Sequence, residues 1–150
     1  MSVNVLGAGL AGLAAAISLA EAGIFVNLIS VQPSERSQSV LAEGGINAAL
    51  DTMGEEDGPA YHCADTLKGG CDLADPVAVE GLTNAAPEIV RWLFRLGVPF
   101  QMDGERMILR NLGGQKKKRT AYAKSSTGKA IMTVLIDEAR KYEAAGRITR

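Results

Sequence analysis

Apolar and polar positions follow two different periods along this chain, and the switches between them mark its elements. Val3-Asn4-Val5-Leu6 and Ile24-Phe25-Val26-Asn27-Leu28-Ile29 are short apolar runs rich in β-branched residues, the pattern of strands in a parallel sheet. Between them an alanine-rich stretch predicts a helix from Ala11 to Ala22, stopped at Gly23. Strand, helix and strand at this spacing make a βαβ unit over residues 1–30.

Helical periodicity returns later. Asp75-Pro76 predicts a helix start, with the aspartate as cap and the proline in the first turn. Pro87 is expected to break that helix, because the residue before a proline avoids the α region. A second helix would then bury Ile89, Trp92, Leu93 and Leu96 and stop at Gly97. Residues 100–110 predict a hairpin turning at Asp103-Gly104. Ser125-Ser126-Thr127 is expected to cap a helix carrying Ile131, Val134, Leu135, Ala139 and Tyr142 in register and ending at Gly146. Residues 147–150 look like the start of another strand.

The turn between the first strand and helix is Gly7-Ala8-Gly9-Leu10-Ala11-Gly12. A small-residue helix meets this glycine spacing by chance, but the flanking strands favour a dinucleotide loop. Its first glycine makes the turn, the second admits the phosphates, and the third lets helix and strand pack closely. The second strand ends at Ser30 rather than at the acidic residue that often accepts from the adenosine ribose, so the ribose partner here is neutral. Farther on, Gly44-Gly45 permits close backbone approach to something flat or anionic.

Composition narrows the classes. The chain has 150 residues, 47% hydrophobic and 22% charged, with a net charge of −1, so it carries no global steering toward nucleic acid. Residues 115–120 form the one basic run, read as a solvated surface without aromatic interleaving. Residues 51–59 are acidic and turn-rich and read as an exposed loop. Cys63, Cys71 and the lone His62 match no metal spacing, so no metal site is expected and His62 reads as structural. The apolar stretch from Val5 to Gly23 holds Gly7, Gly9, Gly12 and Glu21 and lacks a basic leader, which favours the phosphate loop over a signal peptide or a span. The reduced thiols fit a cytoplasmic protein.

The order of motifs resembles the flavoprotein subunit of succinate dehydrogenase and fumarate reductase. The resemblance rests on the residue 7–12 loop, Arg36-Ser37-Gln38-Ser39-Val40 leading to Ala42-Glu43-Gly44-Gly45-Ile46-Asn47, Asp65-Thr66 with Gly69-Gly70, and Ala86-Pro87. Leu96-Gly97-Val98, Gly113-Gly114, Arg119-Thr120-Ala121-Tyr122-Ala123 and Thr127-Gly128 continue it. It implies an α/β fold: the N-terminal part of a doubly wound, Rossmann-like FAD-binding domain, with a helical and hairpin insertion over 31–146 and the next strand starting at 147–150. Two full strands leave unpaired edges, so the sequence reads as the front part of a larger fold, one that binds flavin weakly by itself.

The resemblance also implies FAD, with its pyrophosphate on Gly7, Ala8, Gly9, Leu10, Ala11 and Gly12 and its adenosine ribose near Ile29, Ser30 and Val31. Its isoalloxazine would lie against Ser37, Gln38, Ser39, Val40, Leu41, Ala42, Glu43, Gly44 and Gly45. Gln38 stands where membrane-bound members carry a flavin-linking histidine, so the FAD is expected to be non-covalent and of lower potential, favouring fumarate reduction. Leu112 stands where several members place a phenylalanine beside the dicarboxylate. No position matches the family's catalytic residues, which lie later in its chain.

The first functional reading is therefore the FAD-binding portion of a succinate/fumarate-type oxidoreductase. It implies a dicarboxylate substrate, an iron–sulfur partner subunit, no membrane insertion of its own, and at most a peripheral place on the cytoplasmic membrane face. The second is an L-aspartate oxidase-like flavoenzyme, ranked lower because residues 116–122 look closer to the succinate/fumarate group. The third is a non-catalytic FAD-binding or assembly module.

Overall fold

A computed structural model describes residues 2–71 and 73–150. They fall into two compact units. The first takes the segment up to Glu43 with Leu96–Val98 and Gly128–Arg150, and the second takes Gly44–Arg95 and Pro99–Thr127.

In the first unit, β1 (Ser2–Leu6) and β2 (Phe25–Ile29) pair in parallel from Ser2↔Phe25 to Leu6↔Ile29. Between them runs α1 (Leu10–Glu21), which buries Leu13, Ala16, Ile17 and Ala20 on one face. Parallel strands cannot be joined by a tight turn, and this helix is the crossover that lets them pair. The last residues form β8 (Ile148–Thr149), parallel to β2 through Val26↔Ile148, in the order β1-β2-β8. The strand expected at 147–150 is present. Ahead of it α4 (Thr127–Ala144) buries Ile131, Met132, Leu135, Ile136 and Ala139, and Gly146 follows at φ 69°. Thr127 opens this helix, but its hydroxyl accepts the Ala123 N–H at 3.1 Å, so it braces the incoming chain.

The second unit combines two helices with two-residue strands. Residues 46–47 form β3 (Ile46–Asn47), and 59–69 form α2 (Pro59–Gly69), a helix that the sequence pattern did not announce. It is followed by α3 (Pro76–Leu96), one continuous helix with Pro87 inside. Asp75 caps it as expected, its Oδ1 accepting from Val77 N–H at 2.9 Å. The break expected at Pro87 does not occur. Thr83, Pro87, Val90 and Leu93 are all buried at spacings of four, three and three, so the proline lies within one apolar stripe. Burying that stripe outweighs the single hydrogen bond the proline cannot donate. The stripe also differs from the one read in sequence, for Ile89 is 45% exposed.

Residues 100–110 likewise divide. β4 (Met102–Asp103) pairs with β5 (Arg106–Met107) around Gly104 at φ 57°, so the turn residues are 104 and 105. β6 (Leu109–Arg110) leaves this hairpin to pair with β7 (Thr120–Ala121), which also pairs with β3, giving the order β3-β7-β6. The partners that join β3 to β7 stand more than 70 positions apart in sequence, which a local pattern cannot register.

Candidate functional site

In the first unit the glycine loop lies at the carboxyl end of β1. Gly7 has φ 101°, and its N–H donates to Ile29 O at 2.7 Å, which ties the turn to β2. A Cβ on Gly12 would stand 1.7 Å from Gly7 O. That is the close helix-to-turn approach for which glycine was expected. The first bond inside α1 runs from Leu13 N–H to Gly9 O, so the preceding amides have no intrahelical acceptor. Leu10 N–H donates to Ser39 Oγ at 3.2 Å, and the first turn contains no acidic side chain. The remaining amides and the helix dipole make a place for an anion.

Residues 29–31 follow directly. A cavity of ≈ 430 Å³ is lined by Ala8, Ser30, Val31, Ser34, Glu35 and Arg150 among others. A neighbouring one of ≈ 570 Å³ includes Gly7, Ile29, Ser30 and Val31. Thus the structure brings residues 7–8 and 29–31 to shared cavities. Ile29 and Val31 turn their apolar side chains to solvent there, at 51% and 106% exposure, as a crevice at strand ends would require for a flat ligand. Ser34 Oγ and Ser37 Oγ are buried with no hydrogen-bond partner among the described residues. Buried polar atoms are ordinarily satisfied, so two orphaned hydroxyls fit a site completed by a polar ligand.

Residues 34–36 and Gln38–Leu41 form two single 3₁₀ turns. Gln38 is exposed and Ser39 half-buried. The segment is held at both ends: Ser39 accepts from Leu10 N–H, and Ala42 O accepts from Gly128 N–H at 2.7 Å. A Cβ on Gly128 would lie 2.2 Å from Ser39 O, so only glycine lets α4 start this close to the segment.

In the second unit Gly44 and Gly45 precede β3. Gly45 has φ 116°, and a Cβ there would stand 2.5 Å from Thr120 Cγ2 and 2.6 Å from Ala121 O. Arg110 Nη2 donates to Gly44 O at 2.6 Å, and its guanidinium lies 4.5 Å from the Tyr122 ring centroid. Leu112 is near Gly44, 3.5 Å from where a Cβ would be. Arg110 was not singled out in the sequence, where nothing distinguishes it from other strand-end cations.

Two charge readings are corrected here. The acidic loop at 51–59 is not freely exposed, and the basic run is not simply solvated. Arg119 and Asp57 side chains are each 1% exposed and pair at 2.9 Å, and Arg119 also holds Asp65 at 3.0 Å. Asp51 Oδ1 accepts from Glu55 N–H and Asp57 N–H, while Lys117 Nζ donates to Glu55 O and Lys118 N–H to Glu55 Oε2. Matching runs of opposite sign were the available signal. Their separation of about 60 positions hid the pairing.

His62 is buried on α2 at 5% exposure, with Nδ1 unpartnered among the described residues. Burial first, and the nearby Arg119 charge second, push its pKa below the ordinary 6.5, while Asp57 and Asp65 oppose this. The imidazole is therefore neutral near pH 7. Cys63 and Cys71 are free thiols. Among the described residues, no group of three His, Cys, Asp or Glu side chains is arranged to hold a metal, and no helix is long and apolar enough to cross a membrane.

The family model described as FAD binding domain matches residues 2–149. The succinate dehydrogenase flavoprotein subunit of Bacillus subtilis is 45% identical over 150 residues, covering 99% of this chain and 26% of that protein. The L-aspartate oxidase of Nostoc is 37% identical over 136 residues, covering 91% of this chain and 23% of its own length. Among solved structures, a variant of the E. coli quinol fumarate reductase superposes with a TM-score of 0.89 at 30% identity, over 99% of this chain and 25% of that one. The chain spans about a quarter of the length of these curated relatives.

Proposed function

This chain belongs to the FAD-binding domain family, and on that premise we propose that it is the FAD-holding portion of a flavoprotein oxidoreductase of the succinate dehydrogenase and fumarate reductase type. The observation that carries this is the start of α1, where Gly7 and Gly12 set a helix N-terminus free of acidic side chains at the end of β1. In this reading the amides of residues 9–12 bind the pyrophosphate and residues 29–31 flank the adenosine ribose. Residues 37–43, with the Gly44-Gly45 pair that follows them, address the isoalloxazine. Ser34 and Ser37 supply the orphaned hydroxyls that a polar cofactor would satisfy. FAD, when bound, supplies hydride transfer. The chain's own residues bind it, orient it and keep its charged phosphates paired.

Gln38 sets the form of the cofactor. Its amide is exposed and has no nucleophilic nitrogen like that of imidazole, so the FAD is held non-covalently. The favoured direction is then fumarate reduction, with a dicarboxylate as substrate and an iron–sulfur subunit as electron partner, in a cytoplasmic protein placed peripherally at the membrane. L-Aspartate oxidation is the second reading, favoured by the oxidase match.

The test is a titration of the chain with FAD, and separately with NAD and NADP, followed by acid precipitation and flavin fluorescence of the washed pellet. FAD uptake with no flavin left on the polypeptide is expected. Tight NAD or NADP binding without FAD binding rejects the reading, and covalently retained flavin rejects the role given to Gln38.

A further inference from the structure

Left-handed backbone gathers in the stretch between β3 and α2. Within residues 51–58, Asp51 has φ 51°, Gly54 has φ 67° and Glu56 has φ 57°. Glycine adopts this region freely, aspartate does so when its short side chain bonds locally, and glutamate pays the full steric cost. Asp51 has that local support, since its Oδ1 accepts from Glu55 N–H and Asp57 N–H. Glu56 is exposed, and its side chain makes no ion pair among the described residues.

Strained residues persist only where their surroundings hold them, and here the hold comes from three consecutive residues far along the chain. Lys117 Nζ donates to Glu55 O, Lys118 N–H donates to Glu55 Oε2 at 2.8 Å, and Lys118 Nζ lies 3.2 Å from Glu55 Oε1. Arg119 pairs with Asp57 at 2.9 Å. This grip has an outer and an inner layer. Glu55 and Lys118 are 28% and 44% exposed, so salt screens their attraction, whereas the buried Arg119–Asp57 pair is screened much less. Arg119 is also a wall of a cavity of ≈ 240 Å³, shared with His62, Asp65, Thr66 and Gln115 among others. The imidazole there is buried and its Nδ1 has no partner among the described residues.

We propose that residues 51–58 form a strained strap that gates solvent access to His62 and its cavity: left-handed backbone favours opening, and Lys117, Lys118 and Arg119 hold it shut. Each opening breaks both layers, so its frequency carries the salt sensitivity of the outer one. Opening also takes Asp57 from Arg119 and leaves that cavity wall held by Asp65 alone.

His62 is the one histidine of the chain, and burial keeps its ring in the neutral form that diethyl pyrocarbonate attacks. The experiment follows the ultraviolet absorbance of carbethoxylated histidine in wild-type, Glu55→Gln and Glu56→Gly chains. Rates are taken relative to N-acetylhistidine as potassium chloride rises from about 0.01 to 1 M, where the Debye length falls from about 30 to 3 Å. The wild-type rate should rise about threefold across that range, within the worth of one exposed ion pair. Glu55→Gln should react about fivefold faster at low salt and lose most of the salt response. Glu56→Gly, relieved of the left-handed cost, should react about threefold more slowly. A wild-type rate indifferent to salt, or a Glu56→Gly rate above wild type, overturns the strap. Rates that follow the global unfolding constants from urea denaturation in all three forms place the exposure in whole-chain unfolding and overturn it as well.

Discussion

The two units solve the same problem, fixing loop backbone in place, by opposite means. In the first, a parallel sheet and a helix hold the glycine loop through regular elements, and local glycines permit contacts as close as Gly12 to Gly7 O. In the second, β3, β4, β5, β6 and β7 each contain only two residues. Order there comes from side chains, with Arg119 between Asp57 and Asp65 and Arg110 on Gly44. Regular structure tolerates most single side-chain losses. An assembly of short strands depends on a few charged ones.

That contrast is broken or sharpened first at Arg119. Arg119→Ala leaves the buried Asp57 carboxylate without its partner and should cost about 3–5 kcal/mol, read as a lowered urea midpoint. A loss below about 1 kcal/mol would show that the short strands hold without the cluster. In the first unit the corresponding change is Gly12→Ala. The added methyl clashes with backbone and should cost about 3 kcal/mol, at the upper end of ordinary overpacking, while weakening FAD uptake more than tenfold. Unchanged flavin titration would remove α1 from the site.

The smaller effects separate the units more finely. Ser39→Ala removes the acceptor for Leu10 N–H and should cost about 1 kcal/mol by urea denaturation, with the Leu10 amide exchanging faster. The smallest effect is a pH dependence. The folded pKa of His62 lies below its unfolded value, so between the ordinary 6.5 and the folded value the unfolded chain binds more protons. Stability should therefore be fully present above that range and fall as pH drops through it. His62→Gln should flatten this part of the profile, and a wild-type midpoint that rises on acidification would show the sign to be wrong.

Legibility in the sequence follows the same division. β1, α1 and β2 were readable because each depends on neighbours a few positions away and is marked by Gly7, Gly12 and Gly23. Residues 147–150 could be read as a strand because an apolar stop follows a capped helix. α2 was missed because its one fully buried side chain is His62, which supplies no apolar stripe. The continuity of α3 was missed because the rule at Pro87 is local while the burial of Thr83, Val90 and Leu93 is not. The Arg119 cluster and the Arg110 grip join residues about 60 positions apart, beyond any periodic pattern. The turn geometry of the 7–12 loop was readable for the same local reason, whereas the orphaned hydroxyls of Ser34 and Ser37 emerge only from the three-dimensional structure.

The turn at residues 38–42 has a consequence of its own. It is tied to the first amide of α1 through Ser39 and to Gly128 N–H at the start of α4 through Ala42. Two helices thus turn their positive poles on the segment 38–42, each pole equivalent to about half an elementary charge. The electric field they set up amounts to that of about one fixed cation, made wholly of peptide dipoles. No proton can titrate it and no lysine acetylation can erase it.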